Sequence, residues 1–114
     1  MSDADRQWGH RLKQARTSAG LSQKQLGIQA GIDEFVASTR INRYELGVHK
    51  PDFQTAQNLA RVLNISAAFL YAPEDDIAAL LFRYSRATEA QRGSIRQLLG
   101  EIADPVTAPE GSAT

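Results

Sequence analysis

Cysteine is absent from the 114 residues, which excludes disulfides, thiolate metal sites and cysteine nucleophiles together and makes a reducing compartment unremarkable. No apolar run approaches the length needed to cross a bilayer. The opening MSDADRQWGH is polar and acidic and lacks the apolar middle of a signal peptide. A soluble, cytoplasmic protein without membrane contact is expected. Signatures of catalysis are equally scarce. His10 and His49 lack metal-ligand spacing, no G-x-S-x-G or phosphate-cradling glycine loop occurs, and Asp75-Asp76 stands at a helix start, where acids commonly serve the helix end. Neither enzyme activity nor a cofactor or metal is expected. Strand patterns and internal repeats are also missing, so the fold class is all-α.

An excess of one charge is lacking too: 13 Lys/Arg face 13 Asp/Glu, for a net charge of zero. Phosphate binders usually carry a basic excess, but the distribution matters more than the sum. Met1 to Lys50 holds eight Lys/Arg against five Asp/Glu, a net of +3, whereas from Glu74 onward four Arg face seven Asp/Glu, a net of −3. The first half can attract phosphate while the second is left for protein contacts.

With 42% apolar and 23% charged residues, the chain suits one compact domain with a modest extension. Trp8, Leu12, Ala15 and Ala19 recur at helical spacing behind Asp3 and Asp5, predicting a helix from about Asp5 to Ala19 that Gly20 ends. Ser22 is placed to cap a second helix, Gln23 to Ala30, and Gly31 supplies the turn after it, with Ile32 at the corner. Asp52, behind Pro51, caps a helix carrying Phe53, Ala56, Leu59, Ala60 and Leu63, closed by Asn64. Ser66 starts a short helix through Phe69, Leu70 and Tyr71, and Pro73 breaks the chain. Ile77, Leu80, Leu81 and Tyr84, then Ile95, Leu98, Leu99 and Ile102 behind a Thr88 cap, repeat at i, i+3, i+4, i+7 and predict an αα-hairpin. The last residues, DPVTAPEGSAT, are rich in Pro, Gly and small polar types, and disorder is expected there. The domain reading is thus 1–72 for a first helical domain, 73–103 for a C-terminal hairpin and 104–114 for the tail.

Two short helices joined by a glycine turn, the second polar and cationic, are the layout of a helix-turn-helix reader. From Leu12 to Tyr71 the chain resembles the phage repressor/Cro family, the Xre-type helix-turn-helix regulators. The resemblance is carried by Arg16, Gly20-Leu21-Ser22-Gln23, Leu26, Gly31, Ile41, Tyr44-Glu45, Gly47, Pro51, Leu59-Ala60, Leu63 and Leu70. It implies a five-helix repressor-like bundle, here followed by the C-terminal αα-hairpin. Gly27 stands where the family usually has alanine; it permits close helix crossing but lowers helix propensity by roughly 1 kcal/mol. The Gly31 to Glu45 interval exceeds the family spacing by about four residues, close to one helical turn. The insertion around Asp33 to Ala37 either lengthens the reading helix or forms a loop or extra turn ahead of a helix beginning near Ser38. The second is preferred, because an early helix aims Glu34 toward phosphate, and Phe35 or Val36 is then expected to anchor the connection by burial.

Counted back from Ile41 and Glu45, the outward face of the reading helix presents Ser38, Thr39, Asn42 and Arg43. Arg suits guanine, Asn suits adenine, and the Thr methyl suits thymine. The resemblance implies a phosphate or first-base contact at Gln23, with Lys24 beside it. Arg40, Lys50 and the backbone N–H at Phe53 are further phosphate candidates, since helix N-termini attract anions; His49 is a weaker one, and His10 reads as a surface residue. The resemblance also implies an internal ion pair between Arg16 and Glu45.

A module of this size reads only a few base pairs, so a homodimer on a two-fold-symmetric site is expected. The apolar stripes Ile77/Leu80/Leu81/Tyr84 and Ile95/Leu98/Leu99/Ile102 are the natural dimerisation surface, the alternative being that they fold back on their own domain. The leading reading is a sequence-specific regulator of transcription, a repressor acting as a dimer on a palindromic operator. Its partners are then double-stranded DNA, a second copy, and RNA polymerase or another protein. The alternative is an antitoxin or adaptor whose acidic hairpin masks a protein partner while DNA contact is secondary. A small-ligand sensor with a pocket between hairpin and bundle is a third reading, though no polar cluster in the sequence marks such a pocket.

Overall fold

The structure, a computed structural model, describes residues 2–100. Ile102 and the tail 104–114 lie outside the described residues. Seven helices follow in chain order: α1 Asp3–Ser18, α2 Gln23–Gln29, α3 Ala37–Glu45, α4 Phe53–Val62, α5 Ala67–Tyr71, α6 Asp75–Arg86 and α7 Glu89–Leu99, with no strand among the described residues. The fold is an all-α bundle followed by two C-terminal helices.

Local chemistry sets most of the boundaries. α1 starts two residues earlier than the periodicity predicts, because Ser2 accepts the Asp5 N–H and Asp5 reaches back to the Ser2 N–H; a reciprocal cap of this kind satisfies two donors that the helix end leaves open. Ser22 with Gln25 and Thr88 with Gln91 make the same arrangement at α2 and α7. Asp52 caps α4 through the Thr55 N–H, and Asn64 follows that helix with φ 55°.

Leu12 and Ala15 of α1, Leu26 of α2, Ile41 of α3, and Ala56, Leu59 and Leu63 around α4 are essentially sealed from solvent and form one core with Phe69 and Leu70 of α5. Two positions on the predicted stripes differ. Ala19 is exposed at the C-cap of α1, and Phe53, as the first residue of α4, is 61% exposed with its ring 6.4 Å from that of Tyr71. A terminal residue of a stripe reaches past most of the neighbouring helices, and Phe53 has the half-exposed Tyr71 ring beside it.

The longer α2–α3 connection is a turn, not helix. Asp33 O accepts the Val36 N–H at 3.1 Å, Asp33 Oδ1 accepts the Phe35 N–H at 2.8 Å, and α3 begins at Ala37. The expected anchor is overturned: Phe35 is 88% exposed and Val36 40%, and Ala37 is the residue that is buried. The reason is the crossing of α2 with α3. Gly27 and Ala37 meet so closely that a Cβ on Gly27 would lie 2.7 Å from the Ala37 Cβ, so no room exists there for a ring.

α6 is tied to the bundle and α7 is not. Ala78 is buried, Leu81 and Phe82 pack against the core, and the Phe82 ring lies 5.3 Å from that of Phe69. Arg86 donates to Leu63 O at 3.2 Å, and Ser85 Oγ accepts the Ser66 N–H at 2.8 Å. α7 buries no residue and touches α6 sparsely. Arg92 joins the two, donating to Tyr84 O and Ser85 O at 3.0 and 2.7 Å.

Candidate nucleic-acid interface

The nine residues of α3, ASTRINRYE, divide cleanly. Ala37, Ile41, Tyr44 and Glu45 point inward, whereas Ser38, Thr39, Arg40, Asn42 and Arg43 are exposed. Inward positions at i, i+4 and i+7 fix the helix roll and leave the polar residues on one outer surface. No strong apolar residue interrupts that surface within the helix.

The inner end of α3 is held by charge. The side chains of Arg16 and Glu45 are 12% and 3% exposed; Arg16 Nε lies 2.5 Å from Glu45 Oε2, Arg16 Nη2 lies 3.0 Å from Oε1, and Arg16 Nη1 donates to Leu21 O at 2.9 Å. Such a two-pronged pair sets an orientation as well as a distance. Gln23 Nε2 donates to Glu45 Oε1 at 3.0 Å and to Asn42 Oδ1 at 3.1 Å. Gln23, expected at a phosphate or first base, is therefore engaged through its N–H groups with α3, and it carries the order of the buried pair outward to Asn42.

A groove of about 790 Å³ runs along α3, lined by Val36, Thr39, Arg40, Arg43, His49 and Lys50, with Tyr44 and Gly47 behind. Arg40, Arg43 and Lys24 have no carboxylate partner among the described residues, but Lys50 Nζ lies 2.9 Å from Asp5 Oδ1. The Lys50 ammonium, with help from Ser2, holds the Asp5 carboxyl below its ordinary range. At the start of α4, Asp52 accepts the Thr55 N–H at 2.8 Å, which lowers the Asp52 pKa and sets a carboxylate where an incoming phosphate would meet the Phe53 N–H. Burial raises the pKa of Tyr44, whose ring stands edge-on to Trp8 at 6.5 Å.

Two positions escaped the sequence reading. Gly9 lies where α1 crosses the end of α3, and a Cβ there would overlap the carbonyl oxygens of Tyr44 and Glu45; a glycine inside an otherwise helical pattern is the signal that marks such a crossing. Arg11 is 5% exposed. Its guanidinium donates to Ala72 O at 3.2 and 3.0 Å and to Asp75 Oδ1 at 3.1 Å, locking α1 to the chain between α5 and α6. Its place between Trp8 and Ala15 on the inward stripe could have revealed it. His10 is exposed and shares a shallow groove between α1 and α6 with Arg11, Phe82 and Arg83.

At the C-terminal helices the apolar stripes split. Leu81, Tyr84 and Ile95 are half-buried, while Ile77, Leu80, Leu98 and Leu99 are exposed, Leu98 by 74%. No helix among the described residues is long and apolar enough to cross a membrane, and no cluster of potential metal ligands occurs among them.

The helix-turn-helix family model matches residues 12–70. A prophage-derived uncharacterized helix-turn-helix transcriptional regulator of Bacillus subtilis, YonR, is 37% identical over 65 residues, 55% of this chain and 55% of its own. An uncharacterized regulator of the same type from Sinorhizobium medicae is 33% identical over 69 residues, 59% of this chain and 47% of its own. The chain thus spans about half the length of the curated relatives it matches. Among solved structures, that of the transcriptional regulator BswR aligns with a TM-score of 0.76 and 44% identity, covering 82% of this chain and 93% of that one.

Proposed function

The chain belongs to the phage repressor/Cro-type helix-turn-helix family, and from that premise we propose that it is a sequence-specific, double-stranded DNA-binding regulator of transcription. The observation that carries the reading is the outer face of α3, where Ser38, Thr39 and Arg43 are exposed beside Asn42, itself exposed and held by Gln23, on a helix whose inner end is fixed by the Arg16–Glu45 pair. Inserted in a major groove, Arg43 addresses guanine and Asn42 adenine, while Thr39 offers its methyl to thymine. Lys24, Arg40 and Lys50 flank the face for phosphate; Gln23 contributes through Asn42, and the Phe53 N–H is the weakest of the set because Asp52 shields it.

Residues 1–72 form the reading domain, and the two C-terminal helices pair two copies. Ile77, Leu80, Leu98 and Leu99 remain exposed after α6 has docked on its own bundle, and an uncovered apolar surface favours association. Ile95 and Tyr84 border it. Two copies then read half-sites about 34 Å apart, or a multiple of it, on a palindromic operator, and occlusion of a promoter makes the protein a repressor.

Selection of bound sequences from a pool of random duplexes tests the reading. A palindrome with half-sites one turn apart is expected, and Arg43→Ala is expected to lose it. Failure of the wild-type protein to enrich any sequence, even at low ionic strength, would overturn the proposal.

A further inference from the structure

The α2–α3 turn holds out an aromatic ring that packs on nothing: Phe35 is 88% exposed. The backbone beneath it is pinned, with Asp33 accepting the Phe35 N–H through its carboxylate and the Val36 N–H through its carbonyl. An apolar ring presented in this way stays in water at a free-energy cost unless something covers it.

Three observations bear on the occupant. Phe35 precedes α3 by two residues, and the N-terminal part of a reading helix is the part that lies against base edges. The adjoining Val36 lines the same groove as Thr39, Arg40, Arg43 and Lys50, so the turn is continuous with the cationic face. A second copy is a poor occupant, because a two-fold contact here would bring Arg40 and Arg43 toward their own equivalents. The neighbouring carboxylate then decides which part of the duplex is touched. Glu34 is exposed beside the ring and is repelled by phosphate, which turns the tip away from the sugar-phosphate strand and toward the bases. The apolar group that bases offer in the major groove is the thymine C5 methyl.

We infer that Phe35 is a specificity-determining residue, covering the methyl group of a thymine at the edge of the site that α3 reads. This rests on the DNA-reading function proposed above. The test uses the duplex that the wild-type chain selects, together with copies in which each thymine in turn is replaced by deoxyuridine, which lacks the methyl. Binding of the wild-type chain and of Phe35→Ala is followed by fluorescence anisotropy. One edge thymine is expected at which loss of the methyl weakens the wild-type chain by roughly tenfold. Phe35→Ala is expected to be weakened about as much on the thymine duplex, to be indifferent to deoxyuridine at that position, and to bind unrelated duplex unchanged.

Equal binding of Phe35→Ala and wild type, or a loss spread evenly over all duplexes, overturns the inference and leaves the DNA-reading function standing. Loss of self-association by Phe35→Ala in sedimentation velocity identifies a second copy as the occupant and likewise overturns it. Failure of the wild type to select any duplex removes the underlying function before a variant is made, so the two failures are distinguishable.

Discussion

The Glu45 carboxylate is enclosed to 3% exposure, and it keeps donors on both oxygens from Arg16 and Gln23. Removing one partner of such a pair leaves the other buried without compensation. Arg16→Ala is expected to lower unfolding stability by roughly 3 kcal/mol, measured by urea denaturation, and the Arg16→Ala/Glu45→Ala double variant to lose less than the two single losses combined. Asp5 and Lys50 behave differently, being a partly solvated pair beside the cationic groove. The folded-state pKa of Asp5 is depressed by Lys50 and that of Asp52 by Thr55. Their contributions are therefore complete above the ordinary carboxyl range, about pH 4, and are lost as pH falls through the lower folded-state values. A melting temperature unaffected by these groups between pH 7 and 5 and declining below about 4 is expected, less steeply in Asp5→Asn. The same variant frees Lys50, so the slope of log affinity against log salt for non-specific DNA should steepen by up to about 0.9, one phosphate's worth. An unchanged slope would remove Lys50 from the phosphate contacts.

At the scale of helices, the caps at Ser22, Asp52 and Thr88 could be read from residue order alone, because a side-chain cap is a contact within a few residues. The burial of Leu12 and Leu59 followed from periodicity for a similar reason. What sequence could not show was where one helix presses on another. The turn at Asp33 to Val36 was anticipated, yet Phe35 or Val36 was expected buried inside it, since nothing local reveals that Gly27 and Ala37 already fill the crossing. That contact makes a counterintuitive prediction. Replacing a mid-helix glycine with alanine normally gains about 1 kcal/mol, but a Cβ 2.7 Å from that of Ala37 forces α2 and α3 apart, and overpacking costs about 1–3 kcal/mol. Gly27→Ala is expected to be destabilised by about 1 kcal/mol in urea, with Ala37→Gly restoring part of the loss in the double variant. A gain in stability would show that the crossing gives way easily.

Across the whole molecule, the polar outer face of α3 lies on one bundle and the exposed leucines on helices that follow it. Arg11 is the rigid link between them, since it grips Ala72 O and Asp75 from α1. Periodicity places Arg11 on the inward stripe between Trp8 and Ala15, but its partners at Ala72 and Asp75 lie far along the chain, where no local pattern points to them. The stripe on α6 was legible, but its division between the home bundle and solvent was not, because a stripe does not say which of two partners it meets. If the exposed half pairs two copies, Leu98→Glu should give a monomer in sedimentation velocity that still binds a single half-site weakly. In the proposed function α3 reads bases while the surrounding cations supply sequence-independent attraction. That division is tested most directly by titrating Arg43→Ala against the selected operator and an unrelated duplex over a series of salt concentrations. Operator affinity is expected to fall to nearly that of the unrelated duplex, with a salt slope changed by no more than about one phosphate. A ratio of the two affinities equal to that of the wild type would contradict it.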